Sequence, residues 1–271
     1  MKKILSLVLV TFLLIGAAGC GKSQSAASAN GSSDKKTIKV GATPVPHEEI
    51  LEQVKPILEK KGYKLEIVEF NDYVTPNVAL SDGEIDANFF QHIPYLNKYN
   101  EEKKTDLTYT VKVHLEPMGM YSKKIKSIKD LKDGAEIAIP NDATNGSRAL
   151  KLLQSAGLIK LKDGTLVSKE DITSNLKNIK VQELDAPQLP RTLDDVDAAV
   201  INTNYAIEAK LNPLKDALAI EGKDSPYANV LAVRKEDKDK PYIKALSEAL
   251  NSPEIKKFIN EKYKGSIIPA F

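Results

Sequence analysis

Apolar and polar positions along this chain alternate between two periods, one helical and one extended. "TIKVGAT", residues 37–43, is short, rich in β-branched residues and closed by Pro44 and Pro46, which predicts a strand. Glu48 to Lys60 carries Ile50, Leu51, Val54, Ile57 and Leu58 on one face, the spacing of an amphipathic helix. Pro56 should kink that helix or end it early, because proline lacks an N–H donor and crowds the preceding turn. Gly62 then leads into "KLEIVEF", a second strand. "TPNVALSDGEIDANFF" predicts a helix from about Pro76, a turn at Gly83 and a third strand ending at Phe89 or Phe90. Strand, helix, strand, helix, strand is the pattern of a parallel sheet with crossover helices.

"YTVKVHLEPMGMYSKK" is a long extended stretch broken by Pro117, suited to carrying the chain from one lobe to another. The alternation then restarts. "AEIAIP" is a strand, Ser147 to Ala156 a helix, and "IKVQELD" and "AAVINTNYA" are further strands, the second followed by a helix through Lys210. "ALAIEG" is another short strand, and "DSPYANVLAVRKED" is a second extended stretch that can bring the chain back. Pro241 to Leu250 and Pro253 to Tyr263 read as closing helices. The expected architecture is α/β. Two mixed sheets flanked by helices form two lobes joined by two hinge crossings, residues 37–115 with 228–271 in the first lobe and 116–227 in the second. Open α/β sheets bind ligands beyond the carboxyl ends of their strands. The loops after Val40, Phe70, Phe89, Ile139 and Ile201 are therefore expected to meet in a cleft.

The first 36 residues follow neither period. "MKKILSLVLVTFLLIGAAGC" has two lysines, an apolar run from Ile4 to Ile15, then small residues. That order is an export signal, expected over residues 1–19, with an apolar run short for a membrane span. Cys20 is the only cysteine, so no internal disulfide can form. The run resembles a bacterial lipobox, which implies that Cys20 becomes a lipidated first residue. Ala17 stands where many lipoboxes carry leucine; an ordinary cleaved signal with a chance cysteine is the alternative. Residues 20–36, with the small polar run "GKSQSAASANGSSDKK", cannot bury enough apolar surface to offset chain entropy, and are expected to form a tether. A protein on the outer face of the cell membrane, held by a lipid anchor, is expected; paired acyl chains anchor stably where one is marginal.

Composition narrows the functional classes. The chain has 271 residues, 42% of them hydrophobic, enough for a packed core. Its 39 basic and 37 acidic residues nearly balance, so charge gives no argument for nucleic acid. The one G-x-x-x-x-G-K-[ST] match, residues 16–23, straddles the end of the expected export signal, and there is no G-x-S-x-G and no evident carboxylate pair, so no catalytic centre is expected. His47, His92 and His114 lack the short spacing of a zinc site, and neither metal nor cofactor is expected.

Three stretches carry candidate chemistry. In "AIPNDATNGSRALKLLQ" a helix starting near Ser147 would put Arg148 in its first turn, beside unpaired backbone N–H groups that favour an anion. Arginine's planar fork suits a carboxylate; a surface ion pair is the plainer reading. In "AAVINTNYA", Asn202 follows a strand and can fix a polar ligand group, while Thr203 or Asn204 can cap the next helix. In "DANFFQHIPYL", one of Phe89 and Phe90 is core and the other can reach the cleft, because successive strand residues face opposite sides. His92 lies just past the strand, a position as suited to structure as to ligand contact, and Tyr73 follows another strand end.

The ordered blocks "GATPVPHEEIL", "NDYVTPN", "DGEIDANFFQHIPYL", "YSKKIKSIKDL", "IPNDATNGSRALKLLQ", "GLIKLKDG", "ELDAPQLPR", "AVINTNYA" and "DSPYANVLAV" cover nearly all of the mature body. Together they resemble the methionine-binding lipoprotein family (MetQ/NlpA), the substrate-binding part of a methionine ABC importer. The resemblance implies a two-lobed periplasmic-binding-protein fold of type II, acting as a monomer, with L-methionine or a close analogue bound and no reaction catalysed. It also implies a partner ABC permease with a separate ATPase. Arg148 would hold the ligand carboxylate with help from Asn145. Asn202 and Asn229 would bind its polar backbone groups, and Tyr73, Phe90, His92 and Tyr95 would enclose its side chain. The chain departs from the usual family pattern at Gly146 and Asn204, which leaves L-methionine, D-methionine and small methionine peptides open. An enzyme on the same scaffold and a surface interaction protein are the other classes.

Overall fold

The computed structural model describes residues 35–271 apart from Lys223. The expected export segment 1–19, Cys20 and the tether as far as residue 34 lie outside the described residues. The first lobe begins with β1 (Thr37–Ala42), α1 (Glu49–Lys60), β2 (Lys64–Glu69), α2 (Thr75–Ser81), β3 (Ala87–His92), α3 (Ile93–Lys103) and β4 (Thr108–Leu115). The second follows with β5 (Gly119–Tyr121), β6 (Glu136–Pro140), α4 (Ala143–Ser155), β7 (Lys160–Leu161), β8 (Ile172–Ser174), β9 (Lys180–Leu184), α5 (Leu189–Thr192), β10 (Ala198–Ile201), α6 (Thr203–Glu208) and β11 (Ala219–Ile220). The chain returns through β12 (Ala228–Val233) and closes with α7 (Pro241–Leu250), α8 (Pro253–Tyr263) and β13 (Ile268–Pro269).

The first sheet has the order β13-β4-β12-β3-β1-β2 and the second β11-β5-β10-β6-β9. Both are mixed. In the first, β1 runs parallel to β2 and β3 while β12 is antiparallel to β3 and β4. In the second, β6 is parallel to β9 and β10 and β5 is antiparallel to β10. The two-lobed fold with two crossings is therefore present, the crossings being 116–118 and 221–227.

Both faces of each sheet are covered, and strand periodicity sorts the side chains. In β12, Leu231 and Val233 join a core with Ile38 and Val40 of β1 and Leu51, Val54 and Leu246 of α1 and α7. Val230 and Ala232 point the other way, toward Leu80 and Leu96 of α2 and α3. In β10, Ala198 and Val200 pack with Leu150 and Leu153 of α4, while Ala199 and Ile201 pack with Leu189 and Tyr205. Strands buried on both faces read as continuous apolar runs, as "AAVI" does. Each fully buried Leu, Ile or Val contributes about 1.5–3 kcal/mol before entropy is counted.

Three local expectations change. Helix α1 runs to Lys60 through Pro56. Pro56 and Glu52 are both exposed, so the carbonyl deprived of its donor faces water. Helix α4 begins at Ala143, four residues before Ser147, with Asp142 as its cap. "ATNG" has weak helix propensity and reads as loop, but Thr144, Asn145 and Gly146 are buried and tertiary packing decides. Strand β3 continues to His92, and Pro94 sits in the first turn of α3 rather than ending a strand; its missing donor costs nothing there.

Candidate functional site

The expected site residues come from five separate segments and line one cavity between the lobes. Tyr73, Phe90, His92, Tyr95, Asn145, Arg148, Asn202 and Asn229 all border it, together with Gln91, Glu116, Thr203 and Asn204. The space between these side chains is narrow, about 20 Å³ open to the centre of a water-sized sphere.

The apolar wall belongs to the first lobe. Strand β12 pairs Val230 with Gln91 and Leu231 with Phe89. Phe90 is thus the extra residue of a β-bulge, which re-aims a side chain. Phe89 stays in the core with its ring edge-on to His47 and His114. Phe90 turns to the cavity, 5.9 Å from the Tyr73 ring and 6.0 Å from the Tyr95 ring. The bulge also brings Asn88 and Gln91 to one side, where both donate to Asn77 Oδ1 at 2.8 and 2.6 Å.

His92 is a bridge across the cleft. Its Nδ1 accepts from Tyr95 N at 3.1 Å, so the ring proton sits on Nε2 and donates to Asn145 Oδ1 at 3.1 Å. Burial, and then the nearby Arg148 charge, push its pKa down to about 3. At neutral pH His92 is uncharged, an apolar face with one donor. Tyr73 makes a second bridge, its hydroxyl donating to Asn204 Oδ1 at 2.6 Å.

The polar end is built from the second lobe and the crossings. Asp142 Oδ1 accepts from Asn145 N and its Oδ2 from Asn145 Nδ2, both at 2.9 Å. The cap thus aims the Asn145 side chain, and Asn145 Oδ1 also accepts from Asn202 Nδ2 at 2.9 Å. Two expectations for Arg148 are corrected here. It lies in the second turn of α4, because the helix starts at Ala143. The N–H of Asn145 is capped by Asp142, so this helix end is not an open anion site. The fork of Arg148 is also already engaged: Nε lies 3.0 and 3.2 Å from the Glu221 carboxylate oxygens, and Nη2 donates to Glu221 and to the Glu116 carbonyl. The Tyr227 ring stacks on the guanidinium at 4.3 Å.

Two residues of the cavity lining have a buried polar atom that is unmatched. Asn202 Oδ1 and Asn204 Nδ2 have no hydrogen-bond partner. Asn202 opens α6 without capping it; capping was one of the alternatives for Thr203 and Asn204 as well. Thr203 instead donates to the Pro117 carbonyl. Unpaired buried polar atoms cost about 1–3 kcal/mol each, and one acceptor and one donor on residues that line the cavity call for a ligand with both polarities.

Glu116 is the acid that sequence reasoning missed. It is 6% exposed and lies in the first crossing. Its Oε1 accepts from His114 Nε2 at 2.7 Å and faces His47 Nε2 at 3.2 Å, and its Oε2 accepts from Asn204 N at 3.1 Å. Burial alone would raise its pKa, but the two histidines outweigh burial and hold the carboxyl well below its usual range. His47, His114 and Glu116 are the one group among the described residues whose donor atoms cluster tightly enough to hold a metal. Scattered in sequence, they meet because β1 and β4 end together. Both histidine Nε2 atoms already face the Glu116 carboxylate, and burial lowers the pKa of His114 despite Glu116.

The comparisons with known proteins give the family. The methionine-binding lipoprotein MetQ of Bacillus subtilis is 46% identical over 282 residues, covering 99% of each chain. The D-methionine-binding lipoprotein MetQ of Salmonella typhi is 44% identical, covering 95% of this chain and 97% of that one. A solved nutrient-binding protein from Burkholderia cenocepacia, bound to methionine, matches with a TM-score of 0.84 and 50% identity, over 86% of this chain and all of that one. The family described as NlpA lipoprotein matches residues 38–271. From the first strand to the last residue, the chain belongs to the NlpA lipoprotein family, whose members are substrate-binding lipoproteins and not enzymes.

Proposed function

We propose that this protein is a lipid-anchored receptor on the outer face of the cell membrane that captures methionine between its lobes. It hands the amino acid to an ABC permease with a separate ATPase. The observation that carries this reading is the pairing of an aromatic wall with unmatched polar atoms of both signs, Asn202 Oδ1 and Asn204 Nδ2. A thioether is apolar and polarizable, and each sulfur–aromatic contact with Tyr73, Phe90 or Tyr95 contributes about 0.3–1.5 kcal/mol. A buried zwitterion needs partners for both charges. Arg148 serves the carboxylate, with Asn204 Nδ2 as a neutral donor. Glu116, Asn202 Oδ1 and Asn229 serve the ammonium. Residues 37–115 with 228–271, and residues 116–227, are the two bodies that close. Cys20 carries the lipid; among the described residues no helix is long and apolar enough to cross a membrane.

Calorimetry on protein unfolded and refolded to strip prior ligand tests the reading. L-Methionine, D-methionine and methionine dipeptides are the probes, and the narrow cavity favours the single amino acid. Binding is expected to disappear in Arg148→Ala, with a loss of at least about 3 kcal/mol, because Glu221 would then face the ligand carboxylate unpaired. Absence of binding by every probe overturns the proposal.

A further inference from the structure

Arg148 has five N–H groups, and the structure accounts for three. The Nε–H and one Nη2–H go to Glu221, and the second Nη2–H goes to the Glu116 carbonyl. Among the described residues Nη1 alone has no protein acceptor, so the guanidinium meets the cavity through one nitrogen. Glu221 is itself held. Its Oε2 accepts from Met118 N at 3.3 Å and its own N–H donates to Met118 O at 2.9 Å. Met118 lies on the first crossing and Glu221 on the second, so one carboxylate ties both crossings and the arginine together. Its side chain is 18% exposed and that of Arg148 4%.

The charge balance follows. Arg148 and Glu221 neutralise each other. The Glu116 carboxylate remains, in contact with His47 and His114, and the Asp142 carboxylate lies behind Asn145. Apart from the two histidines that hold Glu116, the side chains around the cavity carry more negative than positive charge.

We propose that Glu221 is a positioning residue that fixes Arg148 edge-on to the ligand and, by cancelling its charge, makes the cleft select the ligand ammonium more strongly than the ligand carboxylate. This deepens the methionine reading and rests on it. The ligand class is a free α-ammonium compound with a thioether-length apolar side chain, its carboxyl group the more replaceable end.

Three probes test this on the full protein: L-methionine, methioninamide, which lacks the carboxylate, and 4-(methylthio)butanoate, which lacks the ammonium. Dissociation constants are measured by competition for the wild type, Glu221→Gln and Glu221→Asp, with a melting curve for each. In the wild type, methioninamide is expected to bind at least about tenfold more tightly than 4-(methylthio)butanoate, a difference of about 1.4 kcal/mol. Glu221→Gln releases the arginine charge and is expected to narrow or reverse that ratio by about tenfold, and Glu221→Asp to retain it. The reverse order in the wild type, a measurement that needs no variant to fold, overturns the proposal. So does a Glu221→Gln protein in which all three affinities fall in parallel, the signature of a merely structural ion pair. Failure of the wild type to bind methionine overturns the methionine reading itself and this inference with it, an outcome distinct from the other two.

Discussion

His92 shows how much a single side chain takes from its surroundings. In the unfolded chain its pKa is the ordinary 6.5, and in the fold it is about 3. Between those values the unfolded state binds the extra proton, so stability rises with pH and is lost as pH falls below 6.5. The slope reaches about 1.4 kcal/mol per pH unit for one such group. His114, also held neutral, and Glu116, held ionised, act in the same direction as the medium turns acid. Chemical denaturation at pH 7, 5.5 and 4.5 is expected to show this decline, and His92→Gln to flatten it. An unchanged slope in the variant would remove His92 from the account. The histidine's role was unreadable in the sequence because Asn145, which fixes its outer nitrogen, stands 53 positions away. Glu116 was missed for a similar reason. One acid in an extended lysine-rich stretch has no pattern, and its meaning comes from His47 and His114 converging on it.

Among the elements, α4 matters most to the site, because it carries Asn145 and Arg148. A Cβ added at Gly146 would lie 2.9 Å from the Pro140 carbonyl oxygen. That backbone atom cannot step aside as a side-chain tip would, so glycine is what lets α4 approach the end of β6. Two effects oppose each other in Gly146→Ala. Helix propensity favours alanine by about 1 kcal/mol, and overpacking costs about 1–3 kcal/mol. Overpacking is expected to win, giving a lower melting temperature and weaker methionine binding, since the helix must shift with both of the cavity residues it carries. A variant as stable and as tight-binding as the parent would show that α4 has room. The elements themselves were largely legible. Strands β1, β2, β6 and β10 and helices α7 and α8 lie where periodicity puts them, since burial on one or both faces imposes that periodicity. The start of α4 was hidden by "ATNG", four residues that favour turns. The bulge at Phe90 was hidden because a register shift is a property of β12 and β3 together.

At the scale of the whole molecule the lobes are latched by bonds made across the cleft. Tyr73 donates to Asn204, and His92 to Asn145. Tyr73→Phe removes one latch and leaves Asn204 Oδ1 without its donor, worth about 1 kcal/mol. The closed-to-open ratio without ligand is expected to fall about fivefold. Distance measurements between spin labels on the two lobes read this directly. An unchanged distance distribution would mean that the latch contributes nothing to closure.

The order of strands in the first sheet has a consequence for how the chain acquires its structure. β12 lies between β3 and β4 yet is separated from β4 by the whole second lobe. A chain emerging from its amino end can complete the second sheet while the first still lacks an interior strand. Until residues 228–233 arrive, β3 and β4 each present an unpaired edge, and pairing across more than a hundred residues is slow. The late strand makes the first lobe the last to become native, and keeps a newly made chain open for longest in the half that holds the aromatic wall.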